Sequence, residues 1–163
     1  MQKYVFFVNS PHAVSFFSEK AVTLWLMARI IAIDYGAKRT GIAVTDPLGI
    51  IAQPLETVAT HTLVEFLQEY ASKQSVERFV VGLPKQMDGT PSENFKRIEP
   101  FVNRLRKVFP TIPVEYYDER FTSVLAHRAM IDGGVGKMAR RDKAMVDRIS
   151  AAIILQGYMD SKK

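Results

Sequence analysis

The stretch Ile30-Ile31-Ala32-Ile33 closes on Asp34, and no other part of the chain limits the fold as tightly. A strand this uniformly apolar is buried on both faces, so it belongs at the centre of a sheet covered by helices on each side. After a short turn, Gly41-Ile42-Ala43-Val44-Thr45 reads as a second strand. Ile50 to Val58 reads as a third, set off by the turn formers Asp46-Pro47-Leu48-Gly49. Connections this short join antiparallel neighbours. The pattern then changes period. Leu63, Phe66, Leu67 and Tyr70 fall on one helical stripe and lead into the strand Phe79-Val80-Val81-Gly82. A second helix from Phe95 to Val108 carries Phe101, Leu105 and Val108 at helical spacing and stops before Pro110, after which Val114-Glu115-Tyr116-Tyr117 forms the last strand. Helices over residues 123 to 131 and 143 to 159 complete the order βββαβαβαα. Hairpins first and crossovers afterwards give an α/β fold: a mixed five-stranded sheet, its first three strands antiparallel, flanked by helices.

Against this frame, three acids stand where packing alone would not put them. Asp34 ends the most apolar strand and so lies at the carboxyl edge of the sheet, where open α/β sheets bind ligands. A turn-forming role beside Gly36 is the structural alternative. Glu119, in Tyr117-Asp118-Glu119-Arg120, follows the last strand; right-handed helical crossovers make that strand parallel to the first, which brings its end to the same edge. Asp118 competes for this place because strand side chains alternate faces. Asp147 lies inside the helix that begins near Lys143, sharing a face with Ala151 and Ile154 and flanked by Ser150, a small-residue stripe suited to packing on the sheet. Its structural alternative is a dipole-stabilising acid in the first turns of a helix. Carboxylates gathered in a partly buried place repel one another unless a cation joins them. Magnesium or manganese suits such oxygen ligands, and a metal pair can activate water and stabilise a leaving oxygen, with no side-chain nucleophile required.

Composition narrows the chemistry further. With no cysteine, thiol catalysis, zinc ribbons and disulfides are excluded, in keeping with a reducing compartment. Serine chemistry would need a base beside the nucleophile, and the three histidines, His12, His61 and His127, lie in the leader or on expected helix surfaces. An excess of 22 basic over 17 acidic residues favours a polyanionic partner. Basic residues recur beside the acids: Lys38 and Arg39 after Asp34, Lys85 after Gly82-Leu83-Pro84, Arg120 after Glu119, and Lys137, Arg140, Arg141 and Lys143 before Asp147. Cations at every loop of one sheet edge are what a phosphate backbone needs for positioning. Gly41 and Gly82 serve either close substrate approach or tight packing.

Residues 1 to 27 read differently. Tyr4-Val5-Phe6-Phe7-Val8 is interrupted by Asn9-Ser10-Pro11-His12, which leaves neither the roughly 7 to 15 apolar residues of a secretory signal nor the roughly 20 of a membrane span. Because Met27 immediately precedes the first strand, the expectation is that translation starts there and that the leader is a misassigned start. Peptides from residues 4 to 20 in the mass spectrum of the native protein would overturn it.

Four motifs occur together in the region from residue 28 to 163: Asp34-Tyr35-Gly36-Ala37-Lys38-Arg39-Thr40-Gly41-Ile42-Ala43; Val80-Val81-Gly82-Leu83-Pro84 through Asp88-Gly89; Asp118-Glu119-Arg120-Phe121-Thr122-Ser123; and Lys143 with Val146-Asp147 and Ala151-Ala152. In this combination and order they resemble the YqgF family, also called RuvX, of the RNase H-like superfamily. The resemblance implies a bacterial cytoplasmic endonuclease that matures the 5′ end of precursor 16S rRNA on ribosomal particles; monomer and homodimer both stay open. It carries the catalytic and metal-binding roles onto Asp34, Glu119 and Asp147. Related junction resolvases of the RuvC type place their second acid after the strand next to the first, where this chain has Gly82-Leu83-Pro84, and bring two acids on the last helix, where Ala144 stands in the partner position. Fewer acids favour RNA processing over cleavage of branched DNA, which stays as the alternative substrate. A non-catalytic RNA-binding assembly factor is a second class. Nucleotide phosphotransfer is a third, since actin-like kinases also open with an Asp-x-Gly hairpin, but those clamp nucleotide between two domains and residues 28 to 163 supply one.

Overall fold

The computed structural model describes residues 28–84, 94–118 and 122–162. Its strands are β1 (Arg29–Tyr35), β2 (Arg39–Thr45), β3 (Ala52–Ala59), β4 (Val76–Leu83) and β5 (Val114–Asp118). The helices are α1 (Leu63–Lys73), α2 (Phe95–Val108), α3 (Thr122–Asp132) and α4 (Lys143–Asp160), with short 3-10 turns at Thr60–Thr62 and Ala139–Arg141. Together the strands form one five-stranded sheet in the order β3-β2-β1-β4-β5. β1 pairs antiparallel with β2 and β2 with β3, whereas β4 runs parallel to β1 and β5 parallel to β4. The mixed sheet expected from the order of elements is therefore the one observed.

Side-chain alternation sorts β1 between two cores. Ile31 and Ile33 pack on one face with Phe79 and Val81, beneath Leu63, Val64 and Leu67 of α1 and Ile98, Phe101, Val102 and Leu105 of α2. Ala32 points to the other face, where with Ala43 and Val80 it meets Ala151, Ile154, Leu155 and Tyr158 of α4. Because the sheet residues on this side are small, α4 rides close to the strands. The pairing is tightened by polar ties, for Thr57 donates its hydroxyl to the Ala144 carbonyl at 2.7 Å. At the far end of α4, the Tyr158 hydroxyl donates to Glu115 at 2.9 Å, and Arg78 binds that same carboxylate at 2.7 Å.

Strands β2 and β4 run longer than the reading of the sequence, and β3 starts later. β3 begins at Ala52 rather than Ile50, because the Asp46 carboxylate takes the backbone N–H groups of Ile50 and Ile51 at 2.6 and 2.7 Å. Those amides close the turn and leave the ladder. Pro54 sits within β3, which is an edge strand, the place where a residue lacking an N–H is tolerated. Among the described residues no helix is long and apolar enough to cross a membrane.

Candidate active site

β1, β4 and β5 run in the same direction, so their carboxyl ends share one edge of the sheet. Asp34 lies there, one residue before the end of β1, on the α4 side by alternation from Ala32. Its partner across the hairpin is Gly41 of β2. This glycine decides the geometry of the site, since a Cβ there would run into the backbone carbonyl of Asp147. Of the two uses open to Gly41, packing is the one seen: it lets the backbone of α4 settle on β2 directly beside Asp34. Asp147 is thereby brought to the rim from the opposite end of the chain.

The electrostatics follow from that approach. The Asp34 carboxyl is pushed up from 3.8 to about 7, first by burial and then by the negative charge of Asp147. On its own, then, the pair is frustrated: Asp34 holds its proton at pH values where an exposed aspartate has lost it. Asp147 is better provided for, because the Arg39 guanidinium reaches its Oδ2 at 3.0 Å. Arg39 is one of the cations expected to position phosphate, and its ion pair with Asp147 sets its guanidinium at this rim. The N-terminus of α4 is fixed by Asp142, whose carboxylate caps the Ala144 amide at 2.9 Å.

Glu119 and Arg120, like Lys85, lie outside the described residues. The strand leading to them is informative all the same. Val114 and Tyr116 pack on the α1/α2 face and Tyr117 on the α4 face. Alternation then assigns Asp118 to the α1/α2 face, away from Asp147. Lys38 lies in the turn joining β1 and β2, Arg140 and Arg141 in the 3-10 turn before α4, and Lys143 at the first position of that helix. Among the described residues no group of three His, Cys, Asp or Glu side chains is placed to hold a metal ion. The two acids that are described nonetheless fit a hard divalent cation, being paired carboxylate oxygens whose mutual repulsion such an ion would relieve.

Beside the acids, on the other face of the sheet, opens a cleft of about 660 Å³ lined by Tyr35, Lys38, His61, Arg97, Phe101 and Arg104 among others. Arg97 and Arg104 were not singled out from the sequence. They stand seven apart in α2, with Phe101 between them, and that spacing marks one helix face.

The architecture is that of the RNase H-like class. A solved structure of Thermus thermophilus RuvC in complex with Holliday junction substrate superposes with a TM-score of 0.50, covering 81% of this chain and 96% of that one. At 19% identity this likeness bears on the fold alone. Sequence comparison is more specific. The family described as "RuvX: Holliday junction resolvase" matches residues 28–161. A protein of Phocaeicola vulgatus named "Putative pre-16S rRNA nuclease" is 63% identical over 137 residues, which is 84% of this chain and 99% of the relative. The Bacteroides thetaiotaomicron protein of the same name is 61% identical over the same length and the same shares of both chains. The chain belongs to the RuvX family.

Proposed function

We propose that this protein is a divalent-metal-dependent endonuclease that hydrolyses phosphodiester bonds in precursor 16S rRNA, working in the cytoplasm. The observation that carries the reading is the meeting of Asp34 and Asp147 at the carboxyl edge of the sheet, with Asp34 held up to about 7 by burial and by its neighbour. Two acids so placed destabilise a protein that never neutralises them, so the arrangement fits a site built to take a cation. Asp34, Asp147 and, from the end of β5, Glu119 are the ligands proposed for it. The facing of Asp118 toward the other side of the sheet favours Glu119 as the third acid. When bound, magnesium or manganese supplies the Lewis acidity that activates water and stabilises the departing oxygen. Arg39 orients Asp147, and the burial of Asp34 strengthens every charge interaction at the rim. The surrounding cations, Lys38, Lys85, Arg120, Arg140, Arg141 and Lys143, are proposed to position the phosphate backbone. RNA as substrate rests on the names of the relatives at about three-fifths identity.

The test is a cleavage assay on precursor 16S rRNA with and without magnesium, comparing the wild type with Asp147→Asn. Cleavage by the wild type in metal, lost in excess chelator and lost in the variant, is the expected result. Full activity in chelator, or in Asp147→Asn, would remove the reading. Branched DNA is the second reading, favoured by the description of the family. Offering a four-way junction at equal concentration in the same assay separates the two. Tight RNA binding without metal-dependent cleavage would instead mark a non-catalytic assembly factor.

A further inference from the structure

We infer that the basic cleft on the α1/α2 face holds a nucleotide of the substrate strand flanking the one cut at the acidic rim, with its phosphate on Arg97 and Arg104. The relation to the cut rests on the nuclease reading above; the occupancy of the cleft by RNA does not. Asp34 and Tyr35 are consecutive in β1 and point to opposite faces, so the acids and the cleft are two sides of one rim. A strand lying across the β1–β2 turn passes from one to the other without leaving the protein.

The lining suits a nucleotide in three respects. Its size, about 660 Å³, is within the range of small-ligand sites. Lys38, His61, Arg97 and Arg104 line it, and among the described residues that line it none is a carboxylate; Glu65, outside the lining, approaches Arg104 at 3.6 Å with both side chains exposed. The arginines are suited to phosphate because their planar donors pair with two oxygens at once. Between these cations lies an apolar floor. Tyr35 and Phe101 stack there with ring centroids 4.6 Å apart and planes 23° from parallel, giving a base or ribose a flat surface. A solvated basic patch would lack this floor.

The cleft is also preformed. Thr60 donates its hydroxyl to the Gly36 carbonyl at 2.7 Å and its amide to the Lys38 carbonyl at 3.0 Å. Asn94, just ahead of α2, donates its side-chain amide to the Tyr35 carbonyl at 3.1 Å. These bonds tie the β1–β2 turn to the starts of α1 and α2, so the ordering cost on binding falls mainly on the RNA. The acids next door supply the reason for such a site. A phosphate backbone approaching Asp34 and Asp147 meets negative charge, and the cations lining the cleft on the other side of the rim hold the strand against it.

The experiment measures binding of a fluorescent single-stranded RNA oligonucleotide to the full chain, in chelator so that nothing is cut, over a series of salt concentrations. The variants are Arg97→Ala/Arg104→Ala and, as a control removing equal charge, Lys73→Ala/Lys107→Ala at the C-terminal ends of α1 and α2. All four side chains belong to exposed residues. Each phosphate neutralised on a single strand contributes roughly 0.7 to the slope of log K against log salt, so losing the one phosphate shared by the arginine pair should lower it by about 0.7 and weaken binding roughly tenfold. Arg97→Lys/Arg104→Lys should restore most of the slope, and the lysine control should leave it nearly unchanged. An arginine variant with the slope and affinity of the wild type, or of the control, overturns the proposal. So does competition for the cleft by free nucleoside monophosphate when RNA affinity is unaffected by the variant, since that outcome makes it a small-molecule site. Cleavage by the wild type together with an unchanged slope sinks the cleft alone. A lowered slope without any metal-dependent cleavage sinks the nuclease reading and leaves the cleft as an RNA site.

Discussion

Asp34 keeps a proton that an exposed aspartate would lose, and the sign of its contribution to stability follows. Its carboxyl titrates at about 7 in the folded protein against an ordinary 3.8, so the folded state binds the extra proton between those values. Stability is therefore undiminished below about pH 4, declines as the pH rises, and carries the full penalty above 7. The gap corresponds to a ceiling of roughly 4 kcal/mol. Asp34→Asn should accordingly be more stable than the wild type at pH 8 in chelator, equal to it near pH 4, and inactive; urea unfolding at the two pH values measures this. Equal stability at both would show that the carboxylate is not penalised. Asp147→Asn should pull the Asp34 pKa down only part of the way, because burial is the larger cause. Carboxyl-carbon NMR titration reads that shift directly.

Helix α4 delivers Asp147, and Gly41 admits the helix. Gly41→Ala would push a methyl group into the Asp147 carbonyl, at a cost of roughly 1–3 kcal/mol, and would lift the acid away from Asp34. The expected outcome joins a lower urea midpoint to loss of cleavage and a fall in the Asp34 pKa. Gly49 offers the contrast. It occupies the left-handed region at φ 65° in the turn before β3, where nothing lies within reach of an added Cβ. Gly49→Ala should cost roughly 1–2 kcal/mol through backbone strain and leave cleavage intact. Two glycines thus matter for different reasons, and only one is tied to the site.

At the scale of the whole molecule, the acids couple folding to metal. A divalent cation bound by the native state alone raises stability by linkage, and at the rim it also displaces the Asp34 proton. Magnesium should raise the melting temperature more at pH 8 than at pH 5. It should release close to one proton at pH 5, about half a proton at pH 7 and almost none at pH 9, as the Asp34 carboxyl empties through its value of about 7. Calorimetry in buffers of different ionisation enthalpy counts those protons. Proton release that does not vary with pH, or that survives in Asp34→Asn, would dissociate the metal from this carboxylate.

The sheet was legible in the sequence because its signals are local. An apolar run such as Ile30 to Ile33, a turn such as Asp46 to Gly49, and the helical period of Leu63 to Tyr70 each declare themselves within a few residues. With chain order and handedness they determined which strand ends share an edge, and hence the pairing of Asp34 with Glu119, while the small-residue stripe of the last helix turned Asp147 toward the sheet. What the sequence could not supply was contact between residues far apart in it. Arg39 meets Asp147 across 108 positions, a contact that no local pattern declares. Gly41 admitted two readings until α4 was seen resting on it. The arginines of α2 became a site only once the β1–β2 turn closed over them. Local patterns fix elements because they act through neighbouring backbone and one buried face; distances between side chains on different elements are set by how those faces pack, and only the folded molecule specifies that.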